Sequence, residues 1–218
     1  MDKLKYGNTN TFFISGDQGG LLIDTDYAGT LPAFYKAIKN AGIRIADIKY
    51  VLATHYHPDH MGLIGQLVEQ GIELLLVDVQ KESVHDSDKF FEKDKLTYSA
   101  INEADAMVIT CEESRNVLSQ IGISGEILHT PSHSADSISL IVDDGSCFVG
   151  DLDPSEYLAA YENNEALKRD WDLIMSYDPK TIFFAHRPEK NCNDKLQFVD
   201  VLRGNIRKKN QQWRNDRW

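Results

Sequence analysis

The sequence predicts an α/β protein of the α+β type: a sandwich of two mixed β-sheets covered by helices. Three observations predict it. The apolar runs are strand-sized, as in Leu74 to Val77. Hairpin-like pairs of such runs alternate with strand–helix units, which calls for mixed sheets rather than one parallel sheet. The 218 residues are 42% hydrophobic and 26% charged, enough for one domain, residues 1–218, with a substantial core.

The elements follow in order. NTFFIS and GLLIDT are apolar runs joined by the turn-type cluster GDQGG, so a hairpin is expected. Thr30 is placed to cap a helix over LPAFYKAIKNAG, with Pro32 in its first turn and Gly42 at its close. IKYVLAT is a strand. A single helix is expected from about Pro58 to Gln70, stopped by Gly71, and IELLLVD is a buried strand. Residues 79–105 are mixed and show no clear period. AMVIT is strand-like and EESRNVLSQIG helical; EILHT, SISLIV and CFVG are three more strands. A helix over 163–176, the strand TIFFA and an amphipathic helix over 193–209 complete the chain.

Charge is unevenly spread. The net charge is −11, but the tail at 203–218 holds six basic residues and Asp216, a local +5, so the other 202 residues carry −16. An acidic body repels polyanions and counts against a nucleic-acid enzyme. The tail is expected to be the solvated end of a helix. No apolar stretch approaches the roughly 18 residues a membrane helix needs, and MDKLKYGNTN has no apolar leader character. Cys111, Cys147 and Cys192 show no metal-type spacing and suggest reduced thiols, so a cytoplasmic protein is expected. Oligomeric state is not set by the sequence.

The segment Thr54-His55-Tyr56-His57-Pro58-Asp59-His60 places three imidazoles and a carboxylate within six residues. In extended backbone, residues two apart face the same way, so His55 and His57 can grip one ion. Pro58 starts a helix whose first turn directs Asp59 and His60 to a neighbouring position. His55, His133, Asp151 and His186 all follow predicted strands, where loops on one rim gather into a site. Such donors suit Zn²⁺, with Fe or Mn also possible.

HxHxDH, a lone later His, a strand-ending Gly-Asp and a late strand-ending His resemble the metallo-β-lactamase superfamily, with its αββα sandwich fold. The resemblance runs from NTNTFFI through LIDTD to AHRP. It implies two metal ions: His55, His57 and His133 on one, Asp59, His60 and His186 on the other, and Asp151 bridging. It also implies a bridging hydroxide as nucleophile, with Asp59 as the catalytic residue that orients the water and shuttles a proton. Asp24 in LIDTD would support the metal loop from behind. His129 falls outside the pattern and reads as a packed strand residue, and His85 as solvent-exposed. Tyr56 could line the pocket or pack beneath it, and Arg187 could hold an anionic substrate group or stand at the surface.

Superfamily members cleave many bond types, so fold alone does not name the substrate. Glyoxalase II-like relatives carry a helical region after the last ligand, and 32 residues follow His186 here. Quorum-quenching lactonases resemble the chain but place tyrosine where Pro154 stands. Ribonuclease Z-like enzymes need a basic arm, secreted β-lactamases a leader, and flavodiiron proteins a glutamate in place of His57. The common TPGH and GHG are replaced by Thr130-Pro131-Ser132-His133 and Ala185-His186-Arg187. The expectation is hydrolysis of a small ester, thioester or lactone. The alternatives are a phosphodiesterase, a persulfide-dioxygenase-like enzyme with one Fe(II) on His55, His133 and Asp151, and a non-catalytic metal-binding sensor.

Overall fold

The computed structural model describes residues 1–159 and 164–192. The helix expected over 193–209 and the basic tail at 203–218 lie outside the described residues. Strands β1 (Asp2–Lys5), β2 (Asn10–Gly16), β3 (Gly19–Ile23), β4 (Ile48–Leu52), β5 (Glu73–Val77) and β6 (Ala106–Ile109) form one sheet in that order. Its first two pairings are antiparallel and the other three parallel. Strands β7 (Gly125–His129), β8 (Ile138–Val142), β9 (Ser146–Phe148), β10 (Thr181–Phe183) and β11 (Lys190–Asn191) form the second, in the reverse order β11-β10-β9-β8-β7. Among the described residues only β9 and β10 pair in parallel there.

The apolar runs are continuous because each sheet is covered on both faces. In β5, Leu74 and Leu76 face helices α1 (Leu31–Asn40), α2 (Pro58–Met61), α3 (Ile64–Val68) and α4 (Asp88–Asp94), through Phe34, Met61, Leu67 and Phe91. Leu75 and Val77 face the other way, joining Ile127, Leu140 and Phe148 of the second sheet. That middle layer also takes Leu118 of α5 (Ser114–Gln120). On the far side, Leu128, Ile141 and Cys147 pack on Leu167, Trp171 and Ile174 of α6 (Glu165–Ser176). The order helix–sheet–sheet–helix is the expected αββα sandwich. Each fully buried Leu, Ile or Phe contributes roughly 1.5–3 kcal/mol.

Four local expectations need correction. The helix expected over 58–70 is two pieces, α2 and α3. The His60 carbonyl, which would accept from Ile64, instead accepts from the Thr25 amide at 2.8 Å and the Thr25 hydroxyl at 3.1 Å. Leu63 N donates to Thr25 Oγ1 at 3.2 Å, and Asp59 O accepts from Thr9 Oγ1 at 2.7 Å. Tertiary partners thus take the groups that would have closed the next helical turn. Gly62 permits this crossing, since a Cβ there would lie 2.2 Å from Ala28 N. Thr30 precedes α1, but its hydroxyl donates to Tyr27 O at 2.7 Å instead of capping an amide. His129 is exposed, because β7 is an edge strand and its last residue lies past the packed layer; its Nε2 lies 2.8 Å from Ala135 O. Strands β1 and β11 are additional edge strands, too polar or too short to leave an apolar signature.

Candidate metal centre

The site lies where loops leave β3, β4, β7, β9 and β10. β4 runs into Ala53 and Thr54, both buried, and then into the histidine loop. The backbone of Tyr56 is held on both sides: its N–H donates to Asp136 Oδ2 at 2.7 Å, and its carbonyl accepts from Ser87 Oγ at 2.6 Å. Gln80, fully buried, donates to Ala53 O at 3.0 Å and Asp136 O at 3.1 Å. With Tyr56 packed into the helix-side core, its neighbours His55 and His57 turn the opposite way. Tyr56 therefore packs beneath the loop, and its buried hydroxyl has no hydrogen-bond partner among the described residues.

The two sheets are tied together at the floor of the site. Ile138 N donates to Thr54 O at 2.8 Å, and Asn10 N to Ala185 O at 2.7 Å. Asn10 Nδ2 donates to Phe184 O at 2.9 Å and Arg187 O at 3.2 Å. Gly150 adopts φ +56°, and a Cβ there would lie 2.4 Å from Thr54 Oγ1. Only glycine lets β9 approach the histidine loop this closely before Asp151. On the other flank, buried Asp170 of α6 accepts from Ser132 N at 2.7 Å and fixes the turn that presents His133.

All seven candidate ligands converge. His55 Nε2 lies 2.9 Å from His57 Nδ1, which lies 3.2 Å from His133 Nε2. His186 Nε2 lies 3.1 Å from Asp59 Oδ2 and 3.3 Å from Asp151 Oδ1. His60 Nε2 lies 3.6 Å from Asp151 Oδ1 and 3.9 Å from Asp59 Oδ1. The other oxygen of Asp151 faces His133 Nε2 at 3.8 Å. A tetrahedral site with bonds of about 2.1 Å has edges of about 3.4 Å, close to these separations. The donors group as His55, His57 and His133, as Asp59, His60 and His186, and as His55, His60 and Asp151. Asp151 thus turns one oxygen toward each half.

The donor set fits metal ions on a further observation: His60 Nε2 is buried and has no hydrogen-bond partner among the described residues. A buried polar atom without a partner is costly, and a cation is the partner this one faces. Its other nitrogen, Nδ1, lies 3.1 Å from Asp24 Oδ2. Asp24 also accepts from Thr54 N at 2.7 Å and from Thr54 Oγ1. It sits at φ +55°, a strained conformation for a residue other than glycine. Its carboxylate holds a proton of His60 on Nδ1, so that Nε2, once it has released its own proton, is the nitrogen placed to ligate.

The two halves differ electrostatically. Burial, then the imidazoles His60 and His57, push His55 far below the ordinary histidine range. Burial also lowers His133, against the pull of Asp151. Burial opposes charge on His60 too, but Asp24 and Asp151 override it and raise His60 to about 10. A hydrogen bond to Asp59 raises His186. Burial would raise Asp59, but His186 and His60 bring it down to about 2. One half gathers three imidazoles, of which His55 and His133 are lowered, and the other is an ion-paired set.

Asp136, Gln80, Ser87, Thr25 and Asp170 were not singled out by sequence. Each acts on a segment distant in the chain, so no spacing could announce it. His85 is exposed as expected and pairs with Asp88 and Glu103. Cys111, Cys147 and Cys192 are free thiols. No described helix is long and apolar enough to cross a membrane. A cleft of about 540 Å³ at the β2–β3 turn shares no residue with the cluster.

An αββα sandwich with a histidine–aspartate cluster on its strand-end loops defines a metal-binding, hydrolase-like class. Residues 4–186 match the family model of the metallo-beta-lactamase superfamily, and the chain belongs to that superfamily. It is 25% identical over 184 residues to the beta-lactamase-like protein 2 homolog of Drosophila melanogaster, covering 82% of this chain and 58% of that protein. The chain thus spans less than two thirds of that relative's length. It is 29% identical over 151 residues to a probable metallo-hydrolase of Methanocaldococcus jannaschii, covering 67% of this chain and 68% of the relative. Among solved structures, TTHA1623 in a di-iron-bound form superposes with TM-score 0.66 at 20% identity, covering 88% of this chain and 94% of that one. The BLEG-1 B3 metallo-beta-lactamase superposes with TM-score 0.67 at 18% identity, covering 90% and 96%. At these identities the likeness is one of fold.

Proposed function

We propose that the chain is a metal-dependent hydrolase of small esters, thioesters or lactones, with His55, His57, His133, Asp59, His60, His186 and Asp151 as ligands of two ions. The carrying observation is the pair of three-donor groups with one carboxylate, Asp151, directed at both. When bound, such a pair of ions supplies Lewis acidity and lowers the pKa of a water toward about 7. Zn²⁺ suits the donors, and the di-iron neighbour of the same fold makes Fe a candidate beside Mn.

The remaining chemistry belongs to the chain. Asp59 is half-buried and ionised at neutral pH, so it can orient a water and accept its proton. His133, Asp59, Asp151 and His186 retain side-chain exposures of 27%, 35%, 21% and 33%, which leaves the cluster open on one side. A closed structural metal site would have no such opening. The adjoining cleft, lined by His133, Asp151, Phe184 and His186, measures about 190 Å³, and favours a small substrate. The acidic charge balance supports a small-molecule partner over nucleic acid.

Elemental analysis of protein purified without added metal tests the reading. About two ions per chain, with turnover on an ester, thioester or lactone panel, is the expected result. One Fe per chain with persulfide oxidation would replace it by the oxygenase, and retained metal without any turnover by a sensor.

A further inference from the structure

Arg187 is the basic group that the metal-centre reading leaves unused. It directly follows His186 and lines the same cleft as His133, Asp151 and His186. Its guanidinium carbon lies 5.3 Å from the ring centre of Tyr157, and its Nη2 donates to Tyr157 Oη at 3.3 Å. Its carbonyl is held by Asn10 Nδ2, a buried side chain anchored on β2. Both ends of the residue are therefore placed, which lowers the entropy lost on engaging a ligand.

Among the described residues Arg187 makes no ion pair. The acids around it are engaged elsewhere: Glu156 with Lys190, Glu189 with Lys3, and Asp151 and Asp59 with the histidines. Asp153 lines the same cleft without pairing to it. Nε and Nη1 are free of partners among the described residues, so the planar donor fork is available to a ligand. A cleft wall in a protein of net charge −11 that keeps a guanidinium without an ion pair among the described residues selects for a negative group.

We propose that Arg187 forms an anion subsite beside the metal cluster, so that the substrate is an ester, thioester or lactone carrying a separate carboxylate. This rests on the hydrolase reading for the scissile bond, but not for the binding itself. A carboxylate is favoured over a phosphate. One guanidinium balances one negative charge, and Asp153 in the same cleft opposes a second.

Calorimetric titration of the zinc-loaded protein tests this without turnover. The probes are malonate, succinate, glutarate and adipate, each against the monocarboxylate of equal chain length. At least one diacid is expected to bind roughly tenfold or more tightly than its counterpart, the worth of one charge-assisted hydrogen bond. R187Q is expected to bring that ratio within about twofold of unity, and R187K to keep part of it, with zinc content unchanged in both. A wild-type protein without diacid preference, or an R187Q protein that retains it, overturns the subsite. A preserved, Arg187-dependent preference in a protein that hydrolyses nothing on the ester panel would sink the hydrolase reading alone.

Discussion

The two halves of the candidate metal centre are built on different principles. His55, His57 and His133 meet as three imidazoles, with His55 and His133 lowered in proton affinity, held by the backbone clamp on Tyr56 and the turn before His133. Asp59, His60 and His186 meet as an ion-paired set whose buried member, His60, is backed by Asp24. The first half depends on loop geometry and the second on charge. A substitution behind one half should therefore leave a different trace from a substitution behind the other.

The largest effect is expected where the halves meet. Asp151→Ala removes the carboxylate that faces both groups, and hydrolysis should fall by roughly a thousandfold or more, the scale of several kcal/mol of metal-supplied stabilisation. Metal content should fall with it. If both ions remain and activity holds within tenfold, Asp151 does not join the halves.

Asp24→Asn comes next. It weakens the support of His60 and should lower affinity for one of the two proposed ions by about 10–100-fold, leaving the other nearly unchanged. Competition with a metal indicator would resolve the two classes. Equal loss from both would erase the distinction between the halves.

Asp136→Ala strikes the opposite half. Tyr56 N–H would lose its partner in a buried setting, at a cost of about 1–3 kcal/mol in unfolding free energy. Denaturant melts of the metal-free protein measure it, and Asp136→Asn, which keeps an acceptor oxygen, should recover most of the loss. Equal stability of the Ala variant and the wild type would remove the clamp from the argument.

The smallest signal is a proton count. In the metal-free protein His60 is raised to about 10, so at pH 7.5 it is protonated and must release a proton to ligate through Nε2. His55 is lowered, is neutral at that pH, and releases none. Calorimetry in buffers of different ionisation enthalpy should show proton release for one ion and little for the other. The same release for both would contradict the electrostatic contrast.

Much of this was legible in the chain. HxHxDH and the strand-end positions of His133, Asp151 and His186 marked the cluster, because ligand spacing within a loop and apolar runs before it are local properties. The apolar strands were legible for the same reason: burial on both sheet faces demands unbroken Leu, Ile and Val. The break between α2 and α3 was not, since Leu63 and His60 are ordinary helix residues until Thr25 takes their backbone groups.

The sequence by itself determined the layer order, the residue types at the site and the class of chemistry they support. Only the tertiary structure decided that Asp24 backs His60, that Gln80 and Asp136 hold the histidine loop, that His129 is left at an open edge, and that Arg187 lines the cleft with no ion pair among the described residues. The physical reason is the range of the forces. Periodicity and ligand spacing act within a few residues, whereas hydrogen-bond satisfaction and charge pairing are settled between segments that meet only once the two sheets have packed.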